Sequence, residues 1–343
     1  MEKREDLLKV RQRDINMGYL CGNNLPYEIF RTCGIKLTKI NCNGQVSSNS
    51  KIHFPTYMCS YAMNCLELFI EDSDHDGYIL ENRCHAMIAL YEYLREYMPH
   101  KKLFMFNTAK TSSRHASKNY CNEISRLIKF LEVEFNISVT HQVLEFNRIN
   151  LVNDLKQKRK MIDHIVKNSI SLALSDIEVL EMQTSEPFEL DVELKKIAER
   201  KPINGQGAEI LLCGMHITPL DIIDVINEYG GKVVLYDNFE NNELDNTNFS
   251  NRSETADFKQ QENLTCNWNP GWLQSFENKL ARYSIKGIIF STIKFCPTQS
   301  YGVILLANLA KKRNIPFLVL NDSFSSNCSA QVRTRIQAFL ECL

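Results

Sequence analysis

Little in this chain points to a charged partner, a membrane or a nucleotide. Its 343 residues carry 40 Lys and Arg against 41 Asp and Glu, for a formal net charge of −1, and the basic residues are scattered. The electrostatic footprint of a nucleic-acid binder is therefore missing. No apolar run reaches the length needed to cross a bilayer. Met1 to Asp6 is charged and has no apolar segment behind it, so no secretory signal is read and the expected compartment is the cytoplasm. Walker A, GxGxxG, HExxH and GxSxG motifs are all absent. That removes the usual sequence grounds for ATP, dinucleotide, zinc-peptidase or α/β-hydrolase chemistry.

Cysteine is what the chain has in excess, with 12 residues. No two are spaced as CxxC, which argues against a zinc ribbon or a thioredoxin-type site, and ferredoxin spacing is absent too. In a reducing compartment these residues stay as thiols, so a disulfide framework is not expected. Most need no function, because free Cys packs as a small hydrophobe.

Hydrophobic residues make up 44% and charged residues 24%, the balance of a soluble globular protein. The length suits two domains. Strand and helix signals alternate from Met17 to Asn107, vanish in favour of helical spacing between Arg114 and Arg200, and alternate again from Ala208. That order predicts an α/β protein: two Rossmann-like parallel-sheet domains with a helical middle region. The expected division is residues 1–113, 114–206 and 207–343. Pro26 opens a helix and Gly34 closes it, and Gly230-Gly231 ends another. Residues 238 to 267 read as a long polar loop.

Three thiols sit where an open α/β sheet places its ligands, beyond the carboxyl ends of strands. Cys84 follows the predicted strand Asp76–Asn82, Cys296 follows Lys286–Ile293, and Cys59 lies near the start of a helix. A helix N-terminus favours thiolate, the metal-binding form. Three such sulfurs can hold an iron–sulfur cluster and leave one iron open. Glu28 falls in the first turn of the helix after Pro26, where an acidic residue suits the dipole. His85 and His216 read first as structural residues and second as proton carriers. Arg333 and Arg335, near the start of the last helix, read equally as solvated charges or as a clamp for a phosphate or an acyl-thioester end.

Several stretches together resemble the 2-hydroxyacyl-CoA dehydratase and benzoyl-CoA reductase family, specifically its D-component subunits. They are Pro26-Tyr27-Glu28-Ile29, Cys59-Ser60-Tyr61-Ala62, Gly287-Ile288-Ile289 with Lys294-Phe295-Cys296, Asn314 to Leu320, and Gln331 to Phe339. The resemblance runs from about residue 17 to 343. It implies a [4Fe-4S] cluster on Cys59, Cys84 and Cys296, held in the cleft between the domains, with one iron open to water or to the substrate's thioester carbonyl. It implies Glu28 as an acid–base residue. It also implies a reaction: loss of water from an (R)-2-hydroxyacyl-CoA to give a 2-enoyl-CoA, through a ketyl radical formed after one-electron activation. The implied partners are a related dehydratase subunit, in a hetero- or homodimer, and an ATP-dependent iron–sulfur activator. The enzyme would be oxygen-sensitive. A reductase of benzoyl-CoA or double-cubane type, with Cys21 as an extra ligand, and a non-catalytic partner subunit are the alternatives. His85, Pro297 and Ala330 depart from the family's usual Asp, Asp and Gly.

Overall fold

The computed structural model describes residues 15–20, 25–40, 42, 58–109, 114–137, 139, 141–181, 187–200, 207–214, 216–238 and 270–343. The charged amino-terminal stretch, Cys21 and the polar loop from residue 239 onward lie outside the described residues.

The first half contains β1 (Ile15–Leu20), α1 (Tyr27–Thr32), β2 (Ile35–Lys39), α2 (Ser60–Glu71), β3 (Gly77–Glu81), α3 (His85–Tyr97) and β4 (Leu103–Phe106). Then come α4 (Arg114–Phe135), α5 (His141–Lys167), α6 (Leu174–Glu181) and α7 (Pro187–Ala198). The second half contains β5 (Ala208–Cys213), α8 (Ile222–Glu228), β6 (Gly231–Asp237), α9 (Pro270–Arg282), β7 (Gly287–Ile293), α10 (Pro297–Lys312), β8 (Phe317–Asp322) and α11 (Ala330–Glu341).

Both sheets have four parallel strands, in the orders β2-β1-β3-β4 and β6-β5-β7-β8. The two orders are the same when the strands are counted from the start of each sheet. In both, the winding reverses between the first strand and the third, which opens a crevice beyond their carboxyl ends.

The pleat sorts side chains onto two buried faces. In the first sheet Met17, Tyr19, Ile79, Phe104 and Phe106 point to the face covered by α1 and α4, while Leu20, Tyr78, Leu80 and Met105 point to the face covered by α2 and α3. Helix α2 answers with Tyr61, Ala62, Cys65, Leu66 and Phe69, the spacing of one helical stripe. Gly18 lets Ile40 pack close on β1, since a Cβ there would stand 2.7 Å from Ile40 Cδ1 and push it aside. In the second sheet Ile210, Leu212, Val233 and Ile289 face α8 and α11, and Leu211, Cys213, Val234, Ile288 and Phe290 face α9 and α10. Helix α5 packs on α1, α7 and β6, so it belongs to both halves. Gly34 and Gly230 adopt φ of 67° and 83°, the left-handed turn that ends α1 and α8. Ser329 caps α11 by accepting from the Val332 amide at 3.3 Å.

A polar knot ties the amino edge of β3. Asp72 Oδ2 accepts from the Tyr78 hydroxyl at 2.6 Å and stands 2.6 Å from His75 Nδ1, and Oδ1 accepts from the Asp74 amide at 2.9 Å. Lys101 Nζ donates to the Asp72 carbonyl at 2.7 Å. Burial opposes ionisation of Asp72, but these bonds and the His75 charge outweigh it and hold the carboxyl below its ordinary range. A carboxyl depressed in the fold stabilises above its unfolded pKa of about 3.9, and that contribution is lost as pH falls through the folded value. Asp72→Asn is expected to cost about 1–2 kcal/mol at pH 7 and to flatten the acid limb of stability below about pH 4. Urea unfolding at pH 7 and in the acid range checks both.

Candidate active site

The two halves meet through α2. Ser60 Oγ accepts from the Phe324 amide at 2.7 Å. The Tyr61 ring stacks on His216, with centroids 3.6 Å apart and planes tilted 15°, and meets Phe324 edge-on at 5.3 Å. Leu220, Ile293, Cys296 and Phe324 of the second half join the apolar cluster of α2 and α3. Gly214 lets β5 run against β7, because a Cβ there would lie 2.5 Å from the Ser291 carbonyl oxygen.

Each of the three cysteines singled out in the sequence is the residue just before a helix. Cys59 precedes α2, Cys84 precedes α3 and Cys296 precedes α10. Extended backbone at Cys84 (φ −147°, ψ 168°) and Pro297 at the first helical position set the starts of α3 and α10. All three, partly buried, pack against the same buried apolar cluster.

Their sulfurs also sense one another. Burial pushes the Cys59 thiol up to about 11, and the neighbouring Cys84 and Cys42 add to the rise, against the opposing pull of the Tyr61 and Ala62 amides. Burial pushes Cys296 up to about 12, with Cys59 and Cys84 adding, against the Gln299 and Thr298 amides. A thiol raised in this way binds metal only by giving up its proton, so occupation by a cation would release protons. Gln299 is fully buried and fastens the turn, its Oε1 accepting from the Ile293 amide at 2.8 Å.

A buried cation stands next to Cys84 in the chain. Arg83, 4% exposed, directly precedes Cys84, and its Nε lies 3.9 Å from Glu81 Oε2. Glu81, itself fully buried, accepts from Thr108 Oγ1 at 2.8 Å. Burial, together with the charges of Lys39 and Arg83, lowers the His216 pKa far below its ordinary value, so the ring stacked on Tyr61 is neutral.

Among the described residues, no group of three or more His, Cys, Asp or Glu side chains is arranged to hold a single metal ion. A single ion needs its sulfurs within about 2.3 Å of one point. A cluster is less demanding, because each thiolate binds a different iron.

Other residues read from the sequence fall elsewhere. Glu28 is half-buried in the first turn of α1, on the same carboxyl edge but on the opposite face of the sheet from α2 and α3. His85 is exposed. Arg333 pairs with Glu228 on α8, and Arg335 is exposed. The sequence reading missed Ser60, Tyr61, Arg83 and Phe324. Ser60 and Arg83 adjoin the cysteines and Tyr61 lies two residues on, which is the signal that could have found them. His216 was noted, but nothing in the sequence paired it with Tyr61.

The family model described as "2-hydroxyglutaryl-CoA dehydratase, D-component" matches residues 23–343. The chain therefore belongs to the D-component family of 2-hydroxyglutaryl-CoA dehydratases. A protein of Escherichia coli (strain K12) named "Putative dehydratase subunit YjiM" is similar to it, 23% identical over 287 residues, covering 77% of this chain and 73% of that protein. Among the described residues no helix is long and apolar enough to cross a membrane.

His216 gives a pH test of the seam. A histidine depressed in the fold contributes its full stability above its unfolded pKa of about 6.5 and loses it as pH falls, because the unfolded state takes up the proton first. Between pH 7.5 and 5.5 the wild type is expected to lose more stability than His216→Phe, by on the order of 1 kcal/mol. Urea midpoints of the two proteins at both pH values measure the difference.

Proposed function

We propose that the chain is one subunit of an oxygen-sensitive 2-hydroxyacyl-CoA dehydratase, a lyase that converts an (R)-2-hydroxyacyl-CoA into a 2-enoyl-CoA. The observation that carries the reading is the convergence of three thiols on the seam, each at a helix start, in a member of the D-component family. The donor set fits a [4Fe-4S] cluster: three soft sulfurs, partly buried, within one another's electrostatic reach. Cys59, Cys84 and Cys296 would hold it, and the fourth iron would stay open to the substrate. When bound, the cluster supplies one-electron and Lewis-acid chemistry.

The chain's own residues set the conditions. The amides that open α2 and α10 point at the Cys59 and Cys296 sulfurs and favour their anionic form. Arg83, buried beside Glu81 and next to Cys84 in the chain, is the proposed counter-charge to the thiolates. Tyr61, Phe324 and Ile293 exclude water from the seam. Glu28, on the same carboxyl edge but the other face of the sheet, is the proposed acid–base residue. Residues 1–113 and 207–343 act as the two α/β domains, joined by 114–206. The proposed partners are an acyl-CoA substrate, a related subunit and an ATP-dependent iron–sulfur activator, and the proposed compartment is the cytoplasm.

Anaerobically purified or reconstituted protein is expected to carry about four irons per chain. Ser at Cys59, Cys84 or Cys296 should remove most of that iron. Ser at Cys121, on α4, or at the exposed Cys342 should not. Iron and sulfide content with paramagnetic resonance reads the result, and equal iron in all five variants would refute the ligand set.

Turnover is expected only when the partner subunit, activator, ATP and a strong reductant are all present. Omitting each in turn from an anaerobic assay with (R)-2-hydroxyacyl-CoA substrates tests this. Dehydration by the isolated chain without ATP would overturn the mechanism.

A further inference from the structure

Two cysteines with no part in the proposed ligand set lie sulfur to sulfur. Cys42 follows β2 and Cys65 sits in the second turn of α2. Their Sγ atoms are 3.3 Å apart, 23 positions removed along the chain. Both are buried, Cys65 completely and Cys42 to 9% exposure, in the same apolar cluster. Sequence-distant thiols in a core pack with many possible neighbours, so direct sulfur contact is a specific arrangement. A disulfide needs the sulfurs at about 2.05 Å, roughly 1.2 Å closer than they stand.

We propose that Cys42 and Cys65 form a reversible oxidation site whose substrate is a peroxide. The thiolate of Cys42, the less buried of the two, attacks the peroxide oxygen. The O–O bond breaks, Cys42 becomes a sulfenic acid, and hydrogen peroxide gives up its other oxygen as water. The Cys65 sulfur then displaces the sulfenic oxygen as a second water and the S–S bond forms. In all, two thiols lose two electrons and two hydrogens, and one peroxide is reduced to two waters. A dithiol reductant reverses the step by exchange. Cys65 rides on the helix that Cys59 opens, and Cys42 is among the groups that raise the Cys59 pKa. Closure of the pair therefore acts on the edge of the candidate site without consuming any of its three thiols.

The test uses the full chain, reduced and handled anaerobically, both as isolated and after iron removal by a chelator. Each sample receives a small excess of hydrogen peroxide, is blocked with iodoacetamide, and is mapped by mass spectrometry. The expected result in both samples is loss of two thiols of the 12 in the chain. The Cys42 and Cys65 peptides should be linked and lighter by two hydrogens, and dithiothreitol should restore them. In Cys65→Ser the link should vanish and dimedone should trap a sulfenic acid at Cys42. Recovery of both residues as thiols while other cysteines oxidise would overturn the proposal, as would a Cys42–Cys59 link. The wild-type map decides the matter even if the variant does not fold. Iron content, measured separately, bears on the cluster reading alone, because the cross-link needs no metal.

Discussion

Because the strands of each sheet all run one way, every loop that follows a strand opens on the same edge. Parallel pairing in the two sheets, repeated in the orders β2-β1-β3-β4 and β6-β5-β7-β8, is the constraint on which the rest depends. It gathers the starts of the following helices along one edge of each sheet and leaves the opposite edge to structural work, such as the Asp72 knot. The crevice then requires only that the two edges face each other. Tyr61, Ser60 and Phe324 hold them so, with one aromatic stack, one edge-on contact and one hydrogen bond to a backbone amide.

The chemistry of that seam rests on unequal treatment of charge. Burial alone would keep the Cys59 and Cys296 sulfurs protonated, and the helix amides only partly offset this. Arg83 goes the other way: a cation placed inside the protein is costly unless anions share its surroundings. Glu81 supplies one, 3.9 Å away. His216, crowded by Lys39 and Arg83, stays neutral and serves as a flat surface for Tyr61.

Much of this was legible in the chain itself. Alternating strand and helix signals gave two parallel-sheet halves, and Gly34 and Gly230 marked helix ends because their backbone turns left-handed there. Cys59, Cys84 and Cys296 were visible as thiols beyond strands or at a helix start. What could not be read was which side of a sheet each helix covers. Spacing fixes the buried stripe of α1 but not its face, so Glu28 could be set on the carboxyl edge yet not on the side away from α2 and α3. Nor could the pairing of His216 with Tyr61, or of Cys42 with Cys65, be read from residues so far apart in sequence.

Two of the three site thiols, Cys59 and Cys84, belong to the first half, and the third, Cys296, to the second. Cys84 and Cys296 open the helices that follow the third strand of each sheet, so they are counterparts in the two halves. An occupant that spanned all three would be held as by a jaw, with a double attachment on one side and a single one on the other. Its affinity would then be shared with the docking of the halves. By the same linkage, a change that weakened the Tyr61–His216 contact would loosen that hold without touching any sulfur.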